Sequence, residues 1–252
     1  MKDKNGNFYK PERGSTAQPD HIFLSFCGDP HTEMCVSWRT DEAVKSGYIL
    51  YSDGTQIKRQ DAISRFIESD IDRSCYHWAV MRGLTPGTKY TYTVGDDLNR
   101  SGEFSFETEP ENLTHFKFII ISDHQKGDPP QLPDYSIVNG MIKKALSLHP
   151  DCKFILTAGD NCDNGQNDLQ WNGMFSGLKG VIESIPYMMT TGNHDNRGFL
   201  TYFPEPVGKF YLEHADFFDS QFEHSYPLNG PEGYKTENYS FDYAMLIFLL
   251  WA

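Results

Sequence analysis

The chain has 252 residues, enough for one large domain or two ordinary ones, and 38% hydrophobic and 14% aromatic content can fill their cores. A net charge of −13 argues against non-specific nucleic-acid binding and against an anionic membrane surface as partner. It leaves an anionic substrate open, because bound metal ions can invert the local field.

Residues 1–20 are polar, hold Pro11, Gly14 and Pro19, and read as an extended or mobile arm. Met1 to Asn7 lacks the apolar core of a signal peptide. No run reaches the ~18 apolar residues that span a bilayer. Residues 21–109 read as all-β. Strands are expected at 21–26, 34–39, 47–51, 76–81, within 84–94, and at 104–108. Alternation puts Met34, Val36 and Trp38 on one face. Leu84, Pro86 and Tyr90 fit a sandwich corner in which the Tyr90 hydroxyl bonds to upstream backbone. Short strands at this spacing predict an immunoglobulin-like or fibronectin-type sandwich. Cys27 and Cys35 read either as facing thiols across a hairpin or as separate buried thiols. The five cysteines show no CxxC spacing, which argues against a structural zinc cluster.

Residues 109–112 read as a linker, and beyond 115 the period changes. A strand over 116–121 precedes a proline-bearing loop over 125–133. Asp134 caps a helix over 135–148, with Ile137, Met141, Ala145 and Leu148 along its buried face. A strand from Phe154, a helix over 168–184 and a strand around Tyr187 follow. Residues 196–236 read as irregular and lie over the site rim. A pair of strands closes the chain at 239–243 and 246–250.

Three apolar runs end on hard-oxygen side chains: Asp123, Gly159-Asp160 and Gly192-Asn193-His194-Asp195. They lie roughly 35 residues apart, about one βαβ unit, and read as strands buried on both faces. In an open parallel sheet the site lies outside the carboxyl ends of the strands. Asp123, Asp160 and Asn193 therefore converge on one rim, where oxygen donors suit a divalent metal.

In order and spacing these blocks resemble the first three of the calcineurin-like metallophosphoesterases, and the preceding sandwich narrows the resemblance to the purple acid phosphatase branch. The resemblance implies two domains. A fibronectin- or immunoglobulin-like β-sandwich spans 21–109, and the first part of a βαβαβ, four-layer α/β/β/α metallophosphoesterase domain spans 110–252. It implies two metal ions, drawn from iron, zinc and manganese, ~3.5–4 Å apart. Asp160 bridges them, Asp123 serves the first, and Asn193 serves the second through its amide oxygen. A metal-activated water is the implied nucleophile, and a small phosphate monoester the implied substrate. His194 contacts the phosphate, either as a donor to its oxygens or as the acid for the leaving alkoxide. Asp195 orients and charges that imidazole.

Three departures qualify the match. Asp123-His124-Gln125 stands where the purple branch has Asp-x-Gly and the wider superfamily Asp-x-His. Gln125 is a poor substitute for an imidazole, and alternation turns His124 to the other side of the strand. Asp163 occupies the place of the branch's metal-binding Tyr, so no violet absorption band is expected; Asp163 reads either as a ligand or as a loop residue. The family's later Val-x-x-His and Gly-His-x-His blocks are not found, and His214 and His224 read as surface or substrate-loop residues. With the apolar run at 247–252, this predicts a truncated form of a longer protein, or a damaged reading frame, with weak metal affinity and little turnover. Two other functions fit: a phosphodiesterase or nucleotidase on the same scaffold, and a non-catalytic binding protein with a vestigial phosphoesterase domain. Compartment and oligomeric state stay open, although the family is usually exported.

Overall fold

The computed structural model describes residues 14–126, 132–196 and 215–252. Most of the expected arm, His214 and much of the expected irregular region fall outside these residues. Eight strands come first: β1 (Asp20–Ser25), β2 (Glu33–Asp41), β3 (Tyr48–Ser52), β4 (Ile57–Asp61), β5 (Ile63–Glu68), β6 (Arg73–Arg82), β7 (Lys89–Gly95) and β8 (Phe104–Glu107). They form two antiparallel four-stranded sheets, ordered β1-β2-β6-β5 and β4-β3-β7-β8. The sandwich corner forms as expected: the Thr85 amide donates to the Tyr90 hydroxyl at 3.0 Å. The strands β4 and β5 have no counterpart in the sequence reading. Each pairs at a sheet edge; β4 carries mainly polar, exposed side chains, and β5 mixes Ile63, Phe66 and Ile67 with polar residues, so neither shows a clear apolar alternation.

Met34, Val36 and Trp38 enter the hydrophobic core. The intervening Cys35, Ser37 and Arg39 are buried too, because the second half of the chain covers the other face of β2. Ser37 and Ser225 share a hydroxyl hydrogen bond of 2.8 Å, and Arg39 pairs with Asp168 at 3.1 Å.

The second half opens with β9 (Lys117–Ile121), α1 (Ser136–Leu148), β10 (Cys152–Thr157), α2 (Asp168–Gly177) and β11 (Tyr187–Met188). The three strands form one parallel sheet, ordered β11-β10-β9, with Ile155 opposite both Ile119 and Tyr187. Phe154 anchors it to the rest of the molecule. Its ring stacks on Phe118 with centroids 5.0 Å apart, and it meets Phe26 of the sandwich at 5.8 Å. The chain continues through α3 (Asp216–Phe222), then closes with the antiparallel pair β12 (Tyr239–Tyr243) and β13 (Leu246–Leu250).

Four local expectations are corrected. The α1 helix turns Asn139 and Ile142 inward and leaves Ile137, Met141 and Leu148 exposed. Asn139 decides the orientation by donating its side-chain amide to the carbonyls of Gly177 and Lys179. The α2 helix stops at Gly177, and Gly180, at φ +81°, takes the backbone into a left-handed turn. The β9 strand is not buried on both faces, since Ile120 is exposed. The helix α3 falls where irregular structure was expected. Its Phe222 packs edge-on against Trp171 and Phe23, at 5.4 and 5.6 Å.

Candidate active site

The carboxyl ends of β9, β10 and β11 lie side by side because the sheet is parallel. Each strand is followed by a loop carrying one of the candidate oxygen donors. The first two loops turn sharply. Asp123 has φ +51° and Asp160 φ +54°, left-handed values that Asp tolerates better than most residues. Gly159, at φ +86°, precedes Asp160 in the same region. Two consecutive left-handed residues make a tight corner that no regular strand continues.

The loops are held together backbone to backbone. The Asp123 amide donates to the Gly159 carbonyl at 3.3 Å. A Cβ on Gly159 would sit 2.8 Å from the Cα of Gly192, and a Cβ on Gly192 would sit 2.3 Å from Asp160 Oδ1. Only glycine at both places lets the loops approach this closely. Across the contact the His194 amide donates to Asp160 Oδ1 at 2.9 Å. Asp160 is buried, while Asp123 and Asn193 are exposed at the rim. The Ser122 hydroxyl donates to Asp123 Oδ2 at 2.5 Å, and Gln125 Nε2 donates to Asp160 Oδ2 at 3.4 Å.

His194 sits with Nε2 3.9 Å from Asp160 Oδ2. Its Nδ1 faces Asp163, at 2.9 Å from Oδ1 and 3.2 Å from the carbonyl oxygen. Asp195, the orienter expected from the sequence, is engaged elsewhere. It is fully buried and accepts from the amides of Asn161, Cys162 and Gly192 and from the Asn161 side chain, at 2.9–3.1 Å. Burial pushes its carboxyl up to about 6, against those hydrogen bonds, which favour the ionised form. Asp195 therefore ties the β10 loop to the β11 loop. With both oxygens turned to the interior, it is not the partner of the imidazole.

His124 follows the left-handed Asp123, beyond the end of β9, so strand alternation does not set its direction. It is buried, lies 3.2 Å from the Tyr187 hydroxyl, and is pushed down to about 4 by desolvation. His224 packs against the sandwich: its ring meets the edge of Trp78 at 5.2 Å, and its carbonyl accepts from the Cys35 thiol. The roles of Asn161 and Asp163 were not read from the sequence. Asn161 follows the carboxylate directly and looks like any turn residue, yet its buried amide also reaches the Thr190 carbonyl at 2.8 Å.

The donor chemistry suits part of a hard-cation site. Asp123, Asp160 and Asn193 offer oxygens from three adjacent loops. Among the described residues no three His, Cys, Asp or Glu side chains are grouped closely enough to hold an ion. These residues thus fit the oxygen portion of a metal site, without a full ligand shell. Among the described residues no helix is long and apolar enough to cross a membrane.

Comparison with known proteins gives the family of each half of the chain. Residues 19–108 match the purple acid phosphatase N-terminal domain, and residues 116–248 match the calcineurin-like phosphoesterase domain. Acid phosphatase type 7 of Mus musculus is 29% identical over 190 residues, covering 71% of this chain and 41% of the relative. A probable inactive purple acid phosphatase 1 of Arabidopsis thaliana is 26% identical over 136 residues, covering 49% of this chain and 22% of the relative. The chain thus spans less than half the length of these relatives. Among solved structures, purple acid phosphatase PPD1 from yellow lupin (Lupinus luteus) seeds superposes with a TM-score of 0.68 at 19% identity, over 92% of this chain and 44% of that one.

Proposed function

Since the chain belongs to the calcineurin-like phosphoesterases, with a purple acid phosphatase N-terminal domain ahead of the phosphoesterase domain, we propose that it serves metal-dependent hydrolysis of small phosphate monoesters. The observation that carries this is the joining of the Asp160 and Asn193-His194 loops through Gly159 and Gly192, beside Asp123. On this reading Asp123, Asp160 and Asn193 would hold metal, with iron, zinc and manganese as candidates. A bound metal supplies Lewis acidity toward a phosphoryl oxygen. His194 presents its ring beside Asp160 and donates a proton, either to a phosphate oxygen or to the leaving alkoxide. Asp195 keeps the two loops in register. The proposed domain division lies between 109 and 110, and export fits the family.

A second reading, a non-catalytic binding protein, draws support from two features. The Gln125 amide donates to Asp160, so an amide donor occupies a face on which a metal site would place a ligand. Two of the matching Arabidopsis proteins are described as probable inactive purple acid phosphatases. Hydrolysis of p-nitrophenyl phosphate and bis-p-nitrophenyl phosphate with added manganese, zinc or iron separates the readings. The hydrolase reading expects metal-stimulated monoester turnover that disappears in Asp160→Ala. Turnover indifferent to metal or to that substitution contradicts it, and a preference for the diester moves the assignment to phosphodiesterase.

A further inference from the structure

A cavity of about 710 Å³ lies where the turn between β1 and β2 and the stretch after β8 meet β12. Small-molecule sites typically occupy roughly 300–1,000 Å³. Three carboxylates line it, those of Asp29, Glu109 and Asp242, with His31 beside them and no lysine or arginine among the described lining residues. We infer that this cavity binds an aliphatic diamine or polyamine, with one ammonium end held by Glu109.

The anchor is a buried carboxylate with one oxygen unused. The Glu109 side chain is only 1% exposed. Its Oε1 accepts from the Ala244 amide at 2.5 Å and lies 3.6 Å from His31 Nε2. Its Oε2 is shut off from bulk water and has no hydrogen-bond partner. A buried carboxylate oxygen left unpaired is costly, and a cationic donor entering the cavity removes that cost. His31 does not fill this role. Its Nδ1 is engaged with Asp29 Oδ1 at 2.9 Å, and its Nε2 faces the oxygen that Ala244 already serves. The backbone holds the anchor in place: the Glu109 amide donates to the Pro30 carbonyl, and the Glu109 carbonyl accepts from the Gly87 amide, both at 3.0 Å.

The kind of cation follows from how the acids are spread. Among the described residues no three His, Cys, Asp or Glu side chains group closely enough to hold a metal ion. A single point charge therefore cannot gather these carboxylates. Glu109 is buried whereas Asp242, projecting from β12, is exposed, so the acids lie at different depths. An extended cation with a charge at each end meets both. Pro30, Pro227, Leu228 and Phe241 also line the cavity and offer apolar surface to the methylenes between the charges.

The test is a titration of the nitrogen-15-labelled, metal-free chain with putrescine, followed by amide NMR. The expected result is saturable shifts at the Glu109 and Ala244 amides. Affinity should fall at least about tenfold in Glu109→Gln, which keeps the shape of the side chain and removes its charge. Asp242→Asn, at an exposed position, should weaken binding as well, and it carries the test if Glu109→Gln fails to fold. Butylammonium, with one charge, should bind more weakly than putrescine. No saturable shift at millimolar putrescine, an affinity unchanged in either variant, butylammonium binding as tightly as putrescine, or the same shifts with magnesium alone overturns the inference.

Discussion

Gly192 is a residue at which the site tolerates little change. A methyl group there would lie 2.3 Å from Asp160 Oδ1 and 2.5 Å from the Asp160 amide nitrogen. The backbone nitrogen cannot yield without moving the β10 loop. Gly192→Ala should therefore lower stability by about 1–3 kcal/mol and weaken manganese binding in the same protein. Urea denaturation and metal titration read the two effects, and a variant with wild-type values for both would show that the loops are not clamped there. Asp195 makes the complementary case. Asp195→Ala strands three buried amides, of Asn161, Cys162 and Gly192, at roughly 1 kcal/mol or more each. A loss below about 1 kcal/mol in urea denaturation would mean that water replaces the carboxylate. The sequence disclosed the carboxylates and the imidazole through their order along the chain. It did not disclose which carboxylate meets the ring. Asp163 and Asp195 are both near His194 in the fold, and only the direction of their side chains separates them.

At the scale of elements, β2 and α2 meet through Arg39. The guanidinium is almost wholly buried and pairs with Asp20 at 2.8 Å and with Asp168 at 3.1 Å. Arg39→Met leaves Asp168 buried without its partner, and the expected cost is about 3–5 kcal/mol. Chemical denaturation checks it, and a neutral result would show that Asp168 is neutral in the folded chain. The same region sets an acid limit on stability. Burial pushes His21 down to about 3 and His77 down to about 4, from an ordinary 6.5. The unfolded chain takes up these protons below pH ~6.5 while the folded chain does not until pH ~3–4. Stability is therefore fully present above the unfolded value and lost as pH falls through that window. The rate of loss is about 1.4 kcal/mol per pH unit for each ring. Melting temperatures between pH 7 and 4 should fall steeply, and less so in His21→Gln. A flat profile would mean that these rings are protonated in the native state. Alternation made β2 legible from sequence, and short apolar runs made β1 and β3 legible. The face of α1 was not, because the hydrogen bonds of Asn139 outweigh an apolar stripe that remains exposed.

For the molecule as a whole, the two-domain order could be read from the change of period near residue 115. The close union of the domains could not. The outer face of β2 and β6 looks like the solvent side of a sandwich in sequence, yet Trp78 donates to the Gln221 carbonyl at 3.2 Å. From β7 in the other sheet, Tyr92 donates to the Glu183 carbonyl at 2.6 Å. The Leu24 amide adds a backbone bond to Ile182 at 3.0 Å. An interface of buried hydrogen bonds and stacked aromatics should unfold with the domains it joins. Calorimetry is expected to give one transition, and two separated transitions would count against a shared core. What remains is whether the rim of the parallel sheet takes metal through the residues assigned to it. Isothermal titration of the metal-free chain with manganese should show binding that weakens at least about tenfold in both Asp160→Asn and Asn193→Ala. Equal affinity in the wild type and both variants would place the metal elsewhere and remove the basis for hydrolysis at this rim.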